Sequence, residues 1–239
     1  MGSEMCIRDS DRPFSLRAAD SKDWSAWSRS IVHGPQQRHY LVGPKPRGTV
    51  VGVSLRPGCM EAVLGHAAPE LVNRHVCLEI LWGRRGEELR QRLIVAGTPN
   101  TAFRVLETYL AGRCQGPPLM HPAVASALAS RAHSPRVATL QRASGYSPRR
   151  FIAMFSESVG ITPKRYYRIQ RFNAIARCIA SGTADSFAEL AAVAGYADQA
   201  HLTRDFREFS GVPPTRYQGH AASPLHHRMT GADRAAPIG

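Results

Sequence analysis

The sequence predicts an α+β protein: an N-terminal β-containing module with helices, then an all-α domain of about seven helices holding two helix-turn-helix units. Three observations predict it. Runs rich in β-branched residues, HYLVG and TVVGVSL, are split by the Pro/Gly turn PKPRG in the first half. Beyond residue 120 the chain reads almost wholly helical, and that helical part contains an internal repeat.

A chain of 239 residues exceeds one domain of ordinary size, and a composition of 43% hydrophobic and 21% charged residues is that of a folded protein with a real core. Residues 1–30 show no clear period, read as a poorly defined segment, and carry no functional argument. Residues 31–116 form an N-terminal module for sensing or oligomerisation. In it the strands of 39–43 and 49–55 give way after Pro57 to helical faces built on Leu89, Leu93 and Ile94, then on Phe103, Leu106 and Leu110. GRCQGPP, at 112–118, gathers Gly and Pro where no element continues and marks the boundary. Residues 117–220 are the helical domain, and 221–239, with no apolar period, read as a disordered tail.

The repeat relates residues 137–166 to 187–217. Leu140, Gly145 and Tyr146 fall on Leu190, Gly195 and Tyr196; one added residue later, Phe151, Phe155, Gly160, Pro163 and Tyr166 fall on Leu202, Phe206, Gly211, Pro214 and Tyr217. Each copy reads as helix, tight Gly turn, helix. Ser186 and Glu189 form a capping box, Gly195 suits the left-handed turn, and Ser147 and Asp198 suit the N-caps of the second helices. Phe151 with Phe155, and Leu202 with Phe206, give each second helix one apolar face and leave the other for DNA. Between the copies a helix from Pro163 to about Ala180, with Tyr167, Phe172, Ile175 and Ile179 inward, spans about 27 Å, near the 34 Å between successive major grooves.

A formal charge of +13 favours a polyanionic partner. Charge alone does not place the site, because residues 1–133 hold 17 Lys and Arg against 11 Asp and Glu while 134–220 hold 12 against 6. The run from 146 to 177 is sharper: Arg149, Arg150, Lys164, Arg165, Arg168, Arg171 and Arg177 stand against Glu157. Five scattered cysteines without a C-x-x-C pair argue against a zinc module or a disulfide framework and suit a reducing cytoplasm. No signal peptide or membrane span is expected. His33, His39, His66 and His75 lack metal-ligand spacing and His226–His227 lie in the tail, so neither a cofactor nor a metal is expected.

The C-terminal region resembles the AraC/XylS family of bacterial transcription activators through four motifs. They are G-Y-S-x-x-x-F-x-x-x-F from Gly145, G-I-T-P-x-x-Y from Gly160, L-A-x-x-A-G-Y-x-D-Q-x-x-L-x-R-x-F from Leu190 and G-V-P-P-x-x-Y from Gly211. The resemblance implies a seven-helix DNA-binding domain with its units joined by a long helix. Residues 31–113 are similar to the N-terminal module of some members through VGVSLRPG and LEILWG. The implied function is a non-enzymatic, sequence-specific regulator, an activator. Its expected partners are double-stranded DNA, RNA polymerase, a small-molecule effector at the N-terminal module and a second copy of the chain.

The expected DNA-binding residues are Ser147, Arg149, Arg150, Ala153, Lys164, Arg168, Gln199, Ala200, His201 and Arg204. Arg149 and Arg150 bind guanine or phosphate, or form a solvated basic face. Ile152 and Ala153, which the resemblance places at base-reading positions, form no base hydrogen bond; they meet thymine methyls, hold backbone or belong to the core. Gln199, His201 and Arg204 offer hydrogen bonds to bases, unless Arg204 pairs with Glu208 one turn on. Lys164, Arg165 and Arg168 meet phosphate or solvent, and Tyr166 and Tyr217 pack in the core. The rival reading joins the DNA-binding module to a catalytic domain such as a DNA-repair alkyltransferase, with Cys59 as its thiol.

Overall fold

The structure is a computed structural model and describes residues 5–10, 12–43, 50–114, 120–130, 136–182 and 186–218. Seven strands come first: β1 (Met5–Ser10), β2 (Ser15–Ala18), β3 (Ser25–Ala26), β4 (Ser30–His33), β5 (Tyr40–Val42), β6 (Val50–Leu55) and β7 (His75–Cys77). They form two antiparallel sheets, ordered β6-β1-β4-β7 and β3-β2-β5. The strands expected around 39–43 and 49–55 are present as β5 and β6. The opening segment departs from expectation: β1 is an interior strand paired on both edges, with Asp9 opposite Ser30 on one side and Val51 on the other. Pairing with strands distant in sequence, not local period, makes this segment β, so periodicity could not show it.

Helices α1 (Met60–Leu64), α2 (Leu78–Trp82), α3 (Arg84–Val95) and α4 (Pro99–Arg113), with a 3-10 turn at Ala68–Leu71, cover the first sheet. Leu89 and Leu106 are buried there with Val32, Leu55, Leu64 and Leu78, while Phe103 and Ile94 of the expected apolar faces remain exposed. Thr98 caps α4 by accepting a hydrogen bond from the Thr101 amide, and the helix continues through Gly112. The expected boundary therefore begins later than its first glycine; residues 115–118 of it, and the tail of 221–239, lie outside the described residues.

The second half is all helical: α5 (Pro122–Ala129), α6 (Val137–Ala143), α7 (Pro148–Val159), α8 (Pro163–Ser181), α9 (Phe187–Val193), α10 (Gln199–Ser210) and α11 (Pro214–Gln218). Among the described residues these are the seven helices expected. The connector α8 has 19 residues, so it is about 28 Å long. Thr162 caps it, with Pro163 at its first position, where a missing amide proton costs nothing.

Both repeat copies pack on α8, which explains why this helix is apolar on more than one face. Phe155 meets Tyr166 edge-on at 5.5 Å between ring centres, and Phe172 meets Phe206 at 4.9 Å and Phe209 at 5.5 Å. The Tyr167 hydroxyl donates to the Ala127 carbonyl at 2.7 Å, which ties in α5. Tyr166 is buried and Tyr217 rests edge-on against Phe206, so both tyrosines pack as expected. One contiguous core results, running from Val124 to Phe209.

Phe206 is about 1% exposed and Ile152 is 41% exposed on the matching helix of the other copy. Phe206→Ala is expected to cost about 3 to 5 kcal/mol in a denaturant titration, whereas Ile152→Ala changes stability by less than about 0.5 kcal/mol.

Candidate DNA interface

Each repeat copy folds locally as its capping residues dictate. In the first, α6 ends at Gly145, whose φ of +73° is open to glycine without strain. The Ser147 hydroxyl then accepts the Arg150 amide proton at 3.3 Å and starts α7. In the second, Ser186 caps α9 through the Glu189 amide, Gly195 turns the chain at φ +75°, and the Asp198 carboxylate accepts from the His201 amide at 2.6 Å to start α10. Two helix–turn–helix units follow, with α7 and α10 as their second helices.

Burial separates the two faces of these helices. Phe151, Met154, Phe155 and Val159 of α7 face the core, as do Leu202, Asp205, Phe206 and Phe209 of α10. Ser147, Arg149, Arg150, Ile152 and Ala153 lie on the exposed side of the first unit, so neither Ile152 nor Ala153 belongs to the core. Gln199, Ala200 and Arg204 are exposed on the second. His201 is half-buried, with its ring set perpendicular to Tyr196 at 5.1 Å, which limits how far it can turn outward.

The basic run of 146–177 divides in two. Arg149, Arg150, Lys164 and Arg177 are exposed. Arg165, Arg168 and Arg171 point instead into an ionic cluster between α8 and α10. Arg168 grips Asp205 with both arms, at 2.7 and 3.4 Å, and also holds Glu208. Arg171 approaches Asp205 Oδ2, which Arg168 also reaches, at 3.8 Å, donates to the Gly195 carbonyl at 3.4 Å and lies over the Tyr196 ring. Arg165 stacks on Phe209, pairs with Glu208 and donates to the Gln37 carbonyl.

The electrostatics follow from this geometry. The hydrogen bond to Asp205 leads the effects that raise the Arg168 pKa, against the opposing cost of burial. Burial pushes the Glu208 carboxyl up, but hydrogen bonds from Arg165 and Arg168 outweigh it and leave the pKa below the ordinary value. Arg168 is thereby engaged by Asp205 and Glu208. Glu208 is held by α8, so the feared Arg204–Glu208 bridge does not form.

Asp205 is the residue that sequence reasoning missed. It sits on the buried stripe 202-205-206-209 of α10, where an acid needs a partner, and the row Arg165, Arg168, Arg171 at helical spacing supplies one. That pairing of a lone acid on an apolar stripe with a basic row was the available signal.

Elsewhere the chemistry is sparse. Among the described residues no three His, Cys, Asp or Glu side chains group to hold a metal ion, and no helix is long and apolar enough to cross a membrane. His33 Nδ1 lies 2.8 Å from His75 Nδ1 beside Tyr40, and burial lowers the His75 pKa to about 4. Burial pushes the Cys59 thiol up, so it is protonated at neutral pH, opposite to what a nucleophilic thiol needs.

A pair of capped two-helix units on one long connector defines a double helix-turn-helix architecture. Residues 140–220 match the family model described as a helix-turn-helix domain. Among solved structures, the chain is similar to the C-terminal domain of AraT, a response regulator from Geobacillus stearothermophilus, at 20% identity, covering 43% of this chain and 88% of that one with a TM-score of 0.40. It is also similar to a ligand-free variant of ToxT from Vibrio cholerae at 10% identity, covering 90% and 89%, with a TM-score of 0.50. No curated protein matches. Residues 140–220 thus form a helix-turn-helix domain, a motif that docks its second helix on DNA.

The Arg168–Asp205 pair generates a stability test. Asp205→Ala leaves a partly buried guanidinium without its main partner and is expected to cost about 3 kcal/mol or more in a chemical melt. Arg204→Ala, one position away on the exposed side, is expected to cost less than about 0.5 kcal/mol.

Proposed function

We propose that the chain reads a two-block operator, with α7 and α10 in successive major grooves and the second unit giving most of the base discrimination. The observation that carries this reading is the unequal chemistry of two equivalent exposed faces. Gln199 and Arg204 on α10 present groups that pair bidentately with adenine and guanine, while Ile152 and Ala153 on α7 present only apolar surface. Ala200, exposed on the same helix, meets a thymine methyl. His201 adds a hydrogen bond from a ring already braced by Tyr196. Ser147, Arg149, Arg150 and Lys164 supply phosphate contacts, with Arg149 able to add one guanine.

The domain division follows the same reading. Residues before the 115–119 connection form a module for sensing or oligomerisation, to which β1–β3 also contribute, and residues 117–220 bind DNA. The cavity within the N-terminal module, lined by Asp9, Ser30, Leu78 and Arg90, has room for about 10 Å³, at most a single water and too small for an effector. An effector fits better in the open groove between α3 and α4, beside Arg85, Arg92, Arg104 and Tyr109. Activation, contact with RNA polymerase and pairing with a second copy rest on the family resemblance. The alkyltransferase reading gains no support from Cys59, whose pKa is raised.

Selection of sites from a random DNA library by the full chain is expected to return two short blocks about one helical turn apart, the block under α10 the more sharply defined. Arg204→Ala is expected to cost about 1 to 3 kcal/mol and relax that block alone. Lys164→Ala is expected to weaken all sequences alike and flatten the salt slope by about one unit. Equal information in both blocks, or loss of a strong guanine in the first block with Arg149→Ala, would count against the asymmetry.

A further inference from the structure

Both recognition helices end on a glycine in the left-handed conformation, Gly160 at φ +89° and Gly211 at φ +77°, at equivalent points of the repeat. Both glycines press on the N-terminal module. A Cβ at Gly160 would stand 3.0 Å from the Ala68 carbonyl oxygen and 3.0 Å from Val72 Cγ2. A Cβ at Gly211 would stand 2.5 Å from the His39 ring. Backbone conformation alone would favour glycine at either place, but the absence of a side chain also lets the N-terminal module come this close.

The two contact points belong to one braced seat. The segment 34–37 and the segment 71–74 are laced together: Gly34 donates to the Arg74 carbonyl at 3.0 Å, Asn73 to the Pro35 carbonyl at 2.9 Å, and the Gln37 amide to Asn73 Oδ1 at 2.8 Å. The Gln36 amide group donates to the carbonyls of Gly34 and Arg74, at 3.1 and 3.0 Å. Val72, which meets the end of α7, lies within this block, and His39, which meets the end of α10, follows two residues after Gln37. Between them Arg165 spans from the Gln37 carbonyl to Glu208 of α10. Val72 also packs against the helical core.

We infer that the N-terminal module sets the spacing of the two DNA-reading helices, and hence how many base pairs may separate the two operator blocks. This rests on the two-groove reading proposed above. The connector α8 and its ionic cluster hold the two units along one side; the seat adds a contact at the far end of each reader. Leverage makes the contact matter. A recognition helix of 12 residues is about 18 Å long, so a tilt of about 10° at its glycine end moves its reading end by about 3 Å, close to the rise of one base pair at about 3.4 Å. His39, Val72 and Arg165 are therefore positioning residues for specificity, remote from the bases.

The test measures binding of the full chain to its selected operator and to versions with one base pair inserted or removed between the blocks. The wild type is expected to disfavour either change by about tenfold or more. The double variant His39→Asp, Val72→Asp puts a negative charge against the carbonyl ends of both helices, which repel it. Its discrimination is expected to fall to about threefold or less, with each block's own sequence preference retained. Arg165→Lys keeps a charge for Glu208 but loses the second arm that reaches Gln37, and is expected to relax spacing part of the way. It decides the matter if the double variant does not fold. Unchanged spacing discrimination in the folded variants overturns the inference while leaving two-groove reading intact. A wild type that selects only one block removes that reading, and this inference with it.

Discussion

The ion pair between Arg168 and Asp205 is the interaction on which the second reader depends. An acid on the inward stripe of α10 would cost several kcal/mol if left alone, because a buried charge without a partner is expensive. Arg168 meets it with two hydrogen bonds and Arg171 brings a second cation, so the helix docks on α8 in one register. Arg171 also holds the Gly195 carbonyl and the Tyr196 ring, which makes the turn of the unit and its recognition helix share one anchor. A buried ion pair of this kind is weak as a source of net stability; its effect here is to fix an orientation, and the orientation is what DNA reading requires.

The first unit is held differently. Phe151 and Phe155 on α7, with Tyr166 and Tyr167 on α8, form an aromatic contact. Apolar packing of this kind excludes water but specifies angle less tightly than directional hydrogen bonds. The difference in anchoring parallels the difference on the exposed faces, where α10 carries Gln199 and Arg204 and α7 carries Ile152 and Ala153. The more rigidly oriented helix is the one with groups whose hydrogen bonds to bases demand exact placement.

Much of the helical half was legible in the sequence because its rules are local. The repeat, the left-handed Gly145 and Gly195, and the caps Ser147 and Asp198 are each decided by residues within one turn of one another, and each lies where local chemistry places it. The first thirty residues were not legible, since β1 owes its structure to β4 and β6, more than twenty residues away. The same limit hid the role of Arg168. A row of basic residues on a helix looks the same whether it faces phosphate or an acid on another helix, and only the fold puts Asp205 and Glu208 opposite it. Arg149, Arg150 and Lys164 remain on the exposed side. The N-terminal seat was out of reach for a further reason: a glycine required by a helix C-cap gives no sign that another module also rests on it.

The central claim is that one chain places two helices, held at a fixed relation by α8 and its ionic cluster, in two successive grooves on one side of DNA. Hydroxyl-radical footprinting of the full chain on its selected operator tests this most directly. Two protected patches offset by about one helical turn, on the same face of the duplex and at equal occupancy along a protein titration, are the predicted result. A single protected patch that saturates without the second would contradict it.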